Sequence, residues 1–265
     1  MSQNLKNKNI AILYICTGSY GIFWKDFFDS SEAFFLRDYK KHYFVFTDDI
    51  ALNEKYEKNK SITFIYQERL GWPFDTLKRF HMFSMILDEL KKYDFIYFIN
   101  ANTKILKEIG EEVLPDNTDQ IVACLHPGYF SSNRSKFPYE KNRHSEAYIS
   151  KKSGTYYFAG GFNGGTNKSY IKLISNLKNN IDKDLSSNII AIWHDESHIN
   201  KYLSNFKNIK ILDPGYLYPE GWNIPFEKKI LVKDKTNYGG HKVLRNESIK
   251  SKSLFKKIWH RLRKL

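Results

Sequence analysis

Two asparagines, Asn100 and Asn102, flank Ala101 at the end of the apolar run Phe98-Ile99. Carboxylates at that spacing would hold Mn²⁺ or Mg²⁺ across a diphosphate. Amide oxygens bring no charge and are poorer ligands, so a metal would bind weakly here. Taken alone, the pair also fits an ordinary Asn turn. A second constellation is Trp193-His194-Asp195-Glu196-Ser197-His198. Histidines at i and i+4 suggest a zinc helix, but that chemistry needs Glu directly after the first His, where Asp195 stands. The two acids fit either the first turn of a helix, whose dipole they favour, or a carboxylate beside a reacting sugar that stabilises or traps an oxocarbenium-like state. The run Ala159-Gly160-Gly161-Phe162-Asn163-Gly164-Gly165 fails the dinucleotide pattern in every register. It reads as a glycine-rich turn or as a place where backbone approaches a ligand closely. Scattered cations, Arg79, Lys233, Lys235, Lys242 and Arg245, are solvated charges or the partners of a phosphate.

The elements that must position these residues follow from periodicity. Ile10 to Thr17 is a continuous apolar run, as in a buried parallel strand; His42 to Thr47, Ser61 to Tyr66 and Phe95 to Ile99 read as further strands. Helical spacing covers Phe23 to Arg37 and Thr76 to Leu90. This order implies an α/β fold with an open, mostly parallel sheet flanked by helices, with ligands bound beyond the carboxyl ends of the strands. Turn signals crowd in after Leu114, and helices are expected over Lys168 to Asn180 and Asp195 to Ser204. One domain over 1–246 is expected, with a nucleotide-binding half at 1–114 and an acceptor-binding half at 115–246.

The 265 residues carry a formal charge of +13 and are 42% apolar and 16% aromatic, enough for a core and not disordered by composition. Such a surface attracts nucleic acid, membrane or a nucleotide diphosphate, and composition does not choose among them. Cys16 and Cys124 lie in apolar stretches and suggest neither a disulfide framework nor a metal cluster. There is no long apolar h-region and no run of spanning length, so a cytoplasmic protein is expected. In the tail, 247–265, Phe255, Ile258, Trp259 and Leu262 share one helical face among cations. It reads as a basic amphipathic helix in peripheral contact with an anionic membrane, or as a helix docked on the protein or a frayed terminus.

The segments YICTGSYGIFWKDF, YFVFTD, LGWPFDTLKRFHMF, FINANT, LHPGYF, YYFAGGFNGG, IWHDESHINKY, YLYPEGW and YGGHKVLRN occur in that order from Tyr14 to about Asn246. In this the chain resembles glycosyltransferase family 6, which includes the blood-group A and B transferases and α1,3-galactosyltransferase. It is most similar to the bacterial members that carry Asn-X-Asn. The resemblance implies a GT-A fold, retention of the donor's α configuration and, from the amides, no divalent metal and no cofactor. It implies that Ile15, Cys16, Thr17 and Tyr20 hold the uridine of a UDP-sugar, with Arg79 and Trp72 close by. Asn100, Ala101 and Asn102 would stand where the metal-binding aspartates do, and Lys235 and Arg245 would meet the diphosphate. His194 and Asp195 would bind the donor sugar, Glu196 would lie under the anomeric carbon, and His126, Trp193 and Glu220 would contact the acceptor. Small residues at Ala159, Gly160 and Gly161 resemble those of members that use N-acetylgalactosamine.

The expectation is transfer of N-acetylgalactosamine from UDP-GalNAc, in α1,3 linkage, to the galactose of a Fuc-α1,2-Gal oligosaccharide. The alternatives are a UDP-Gal-using α1,3-galactosyltransferase, a basic nucleic-acid-binding protein and a catalytically silent sugar-binding module. No nucleic-acid motif supports the second of these.

Overall fold

The computed structural model describes residues 8–117 and 120–246; the tail and its expected amphipathic helix lie outside the described residues. A seven-stranded sheet runs in the order β3-β2-β1-β4-β7-β6-β8. Its strands are β1 (Asn9–Ile15), β2 (Lys40–Thr47), β3 (Ile62–Tyr66), β4 (Phe95–Ile99), β6 (Ile121–Leu125), β7 (Phe158–Thr166) and β8 (Ile209–Leu212). All neighbouring pairs are parallel except those of β7, which runs antiparallel to β4 and to β6. A small second sheet joins β5 (Thr103–Ile105), β10 (Ile230–Val232) and β9 (Tyr218–Pro219).

Alternating side chains of β1 and β4 go to opposite faces, as strand geometry requires. Ile10, Ile12, Tyr14, Tyr97 and Ile99 join one core with Trp24 and Phe27 of α1 (Trp24–Phe34). Ala11, Leu13, Ile96 and Phe98 join another, with residues of the short helix α4 (Arg79–Ser84), of α6 (Asn167–Ser186) and of α7 (His194–Ser204). Both faces are therefore covered, which explains why these strands read as unbroken apolar runs.

Three expectations need correction. The stretch from Thr76 to Leu90 is not one helix but pieces: α3 (Phe74–Leu77), α4, and α5 (Leu87–Leu90). Lys78 leaves helical geometry at φ −91°, ψ 17°, and this turn sends Arg79 into the protein interior. The expected helix from Phe23 begins as a 3₁₀ turn over Gly18–Phe23, and α2 (Ile50–Tyr56) carries no strong periodic signal. The glycine-rich run is not a turn: it is β7, near the middle of the sheet. A Cβ on Gly164 would sit 2.3 Å from the Tyr97 ring, and one on Gly165 would sit 2.6 Å from the Gln120 carbonyl oxygen. These glycines admit close-packed neighbours, which is the usual meaning of glycine inside a strand. The last helix is α8 (Gly240–Leu244), and no described helix is long and apolar enough to cross a membrane.

Candidate active site

Beyond the carboxyl ends of β1 and β4 lies a cleft of about 310 Å³. The helix α7 brings Asp195 and Glu196 to its floor, and that helix is tied to β7 by Asn200. The Asn200 side chain accepts from the Phe158 N–H and donates to the Phe158 carbonyl, both at 2.9 Å, and it also donates to the Glu196 carbonyl. The turn entering α7 is itself constrained. His194 adopts φ +52°, a left-handed conformation costly for a residue with a Cβ, and the Trp193 N–H donates to Ser197 Oγ at 3.0 Å.

Each oxygen of Glu196 has its own donor. The Tyr157 hydroxyl donates to Oε1 at 2.8 Å and the Gly160 N–H donates to Oε2 at 2.8 Å. Burial pushes the Glu196 carboxyl up, and these two donors and Arg79 oppose that shift. Asp195, 1% exposed, pairs with Arg79 at 2.7 Å between Oδ2 and Nη2, close enough for an ion pair but off the line of a hydrogen bond. Burial outweighs the cation and raises Asp195 to about 6. Arg79 also donates to the Gly160 carbonyl at 2.5 Å and lies 4.1 Å from the centre of the Phe98 ring. The carbonyl of Gly160 is shared with Asn163, which Tyr170 holds in turn.

The opposite wall is cationic and aromatic. Lys235 Nζ lies 5.3 Å from the centre of the Tyr20 ring, and the Arg245 guanidinium lies 3.9 Å from that of Trp72. Burial, reinforced by Arg245, lowers Lys235 from the ordinary 10.5 to about 8. No carboxylate pairs with Lys235 among the described residues. Trp72 meets the His194 ring edge-on at 4.6 Å, and burial with the nearby Arg245 lowers His194 to about 4.

Most of the residues singled out in the sequence meet here: Ile15, Thr17, Tyr20, Trp72, Arg79, Asn100, Ala101, Gly160, Gly161, Trp193, His194, Asp195, Glu196, Lys235 and Arg245 all line the cleft. Others do not. The Cys16 thiol is buried in the core and pushed up to about 12, while its N–H and carbonyl are already bonded to Phe46 and Thr47. Ala159 packs in the core beneath the sheet. Asn102 is 3% exposed and donates to the Lys233 carbonyl at 2.7 Å; only Asn100 of the pair faces the cleft. His126 lies behind Tyr157, ring centres 5.6 Å apart, and burial lowers it to about 4. Glu220 accepts from the Asp234 N–H at 2.7 Å, so it stands beside the segment that carries Lys235. Of the other cations, Lys233 pairs with Asp26 and Lys242 is exposed outside the cleft.

Sequence reasoning missed Arg69, Asp75, Thr76 and His241, which line the cleft, and Tyr157, which holds Glu196. Asp75, Thr76, His241 and Tyr157 lie inside segments that carry the family resemblance but no spacing marks them out, and Arg69 lies just before one of those segments. No group of three or more His, Cys, Asp or Glu among the described residues gathers to hold a metal ion.

The glycosyltransferase family 6 model matches residues 2–246. The chain is 33% identical over 226 residues to the Escherichia coli O-antigen biosynthesis glycosyltransferase WbnI, covering 85% of this chain and 94% of that one. It is 30% identical over 250 residues to the rat histo-blood group ABO system transferase 1, covering 91% and 70%. It is 28% identical over 219 residues to human globoside alpha-1,3-N-acetylgalactosaminyltransferase 1, covering 81% and 62%. A nucleotide-sugar donor and an oligosaccharide acceptor follow from the family. With a GT-A sheet, a cationic wall and a carboxylate floor meeting in one cleft, the protein belongs to glycosyltransferase family 6 and is a glycosyltransferase.

Proposed function

We propose that the protein is a retaining, metal-independent transferase that moves N-acetylgalactosamine from UDP-GalNAc, in α1,3 linkage, to the galactose of a Fuc-α1,2-Gal unit. The observation that carries this reading is the opening of Glu196, with both oxygens bonded, and of Lys235 and Arg245 onto one cleft floored by Gly160 and Gly161. Uridine would lie against Ile15, Thr17 and Tyr20. The diphosphate would meet Lys235 and Arg245, and the sugar would cross the two glycines towards His194 and Asp195.

As the bond from the anomeric carbon to the diphosphate oxygen breaks, negative charge grows on the leaving group and positive charge on the sugar. Fixed cations stabilise the first and the Glu196 carboxylate the second. Glu196, held by one hydrogen bond on each oxygen, serves as an electrostatic stabiliser of that positive charge. The acceptor hydroxyl then attacks from the face the diphosphate leaves, its proton passing to the departing diphosphate oxygen on that face, and configuration is retained. Acceptor would enter past the half-exposed Trp193, with His126 and Glu220 behind the walls. The name of the human relative supports N-acetylgalactosamine as the donor sugar, and the missing side chain at Gly160, whose Cβ would point towards Glu196 and Asp195, supports room for an acetamido group. Mass spectrometry of products from 2′-fucosyllactose with each UDP-sugar tests this. A hexose rather than an N-acetylhexosamine increment would assign the galactosyl reading instead.

A further inference from the structure

Arg69 belongs to neither acidic floor nor phosphate wall, yet it lines the cleft. Its Nη1 donates to the backbone carbonyl of Arg245, 176 residues away. The loop carrying Arg69 is shaped by Asp75, whose Oδ1 accepts from the N–H groups of Leu70 at 2.6 Å and Gly71 at 3.1 Å. Trp72, on the same loop, lies under the Arg245 guanidinium. The segment after α8 is also fastened from a third side. The Ser19 hydroxyl donates to Asn246 Oδ1 at 2.6 Å, and Gly18, at φ +65°, leaves only 3.0 Å between its missing Cβ and the Leu244 carbonyl oxygen. Backbone and side chain of Arg245 are thus gripped by one loop.

We infer that Arg69 is a positioning residue: it acts through Arg245, fixing that residue's backbone so that its guanidinium overhangs the donor's diphosphate. This rests on the role given to Arg245 above. Without Arg69, the segment after α8, which bears a cation beside Lys235, would have less to hold it against like-charge repulsion.

A double-mutant cycle separates this from a direct role. Arg245→Ala should lower kcat/KM for the donor roughly 100-fold and Arg69→Ala roughly 10-fold, the range for losing hydrogen bonds to charged groups. The double variant should match Arg245→Ala within about twofold, because the residue through which Arg69 works is already gone. Arg69→Lys, which still offers one donor to the carbonyl, should recover most of the loss, and the acceptor KM should not move. Losses that multiply in the double variant would overturn the proposal, since Arg69 would then touch the ligand itself. So would full activity in Arg69→Ala. If Arg245→Ala is itself harmless, the phosphate role of Arg245 fails first. Should Arg69→Ala fold poorly, Asn246→Ala releases the Ser19 contact and should give the same non-additive pattern with Arg245→Ala; multiplying losses there would count equally against the idea.

Discussion

At the floor of the cleft Glu196 has a donor for each oxygen and Asp195 has Arg79, whereas on the facing wall Lys235 rests on the Tyr20 ring with its pKa lowered to about 8. The floor gives each acid a protein partner that opposes the effect of burial, whether or not a ligand is present. The wall holds a cation that burial and Arg245 both disfavour, so an anion arriving there relieves a cost the protein already bears. This contrast separates a residue that acts on the reacting sugar from residues that act on the group it leaves.

The sharpest way to break the contrast is at Glu196. Glu196→Gln keeps an acceptor for Tyr157 or Gly160 but removes the charge. Transfer should fall on the order of a thousandfold while UDP binding, followed by calorimetry, stays within about twofold. Near-normal turnover would remove Glu196 from the chemistry. On the wall the split should reverse. Lys235→Ala should weaken UDP roughly 10- to 100-fold, because a charge-assisted bond to phosphate is lost.

The wall also titrates. Lys235 is mostly protonated below its folded pKa of about 8 and mostly neutral above it. UDP affinity should therefore drop about tenfold between pH 7 and pH 9. The sign for stability is opposite. Because the folded pKa lies below the ordinary 10.5, the unfolded chain binds more protons in that window, and the cost of burying the charge is relieved as pH rises through it. Lys235→Arg, charged throughout, should flatten the affinity profile. An unchanged basic limb in that variant would assign it to another group.

How much of this was legible beforehand differs between floor and wall. Strands with both faces buried announce themselves as apolar runs, and β1 and β4 were readable from the sequence for that reason. The pair Asp195-Glu196 stood out because two acids open a helix. Tyr157, Asn200 and Arg69 were not legible, since each works through a partner 39 to 176 residues away and no local spacing encodes it. Turn residues misled the reading of β7: glycines that look like punctuation instead make room for Tyr97 and Gln120 across the sheet. The same strand shows why composition alone could not divide its glycines. Gly164 and Gly165 serve packing, while Gly160 and Gly161 face the cleft.

That division sets a smaller effect. A Cβ on Gly160 would meet Glu196 Oε2 at 3.5 Å and Asp195 Oδ2 at 3.6 Å, ordinary contact distances, so Gly160→Ala should fold. The methyl would occupy space given above to the donor sugar. Competition between the two UDP-sugars should shift a few-fold towards the donor without the acetamido group, since a methyl discriminates only modestly. A shift the other way would place the acetamido group elsewhere.

The smallest expected change is with EDTA, which should alter the rate less than twofold, because the wall already carries the charge a cation would bring. Asn102 is turned away from the cleft and its Nδ2 donates to the Lys233 carbonyl. Restoring a carboxylate by Asn102→Asp would replace that donor with an acceptor facing a carbonyl 2.7 Å away. The variant should lose about 3 kcal/mol of stability in denaturant unfolding rather than gain a response to Mn²⁺. A large loss with EDTA that Mn²⁺ restores, or Mn²⁺ stimulation of Asn102→Asp, would mean that the lysine and arginine wall is not sufficient for the leaving group.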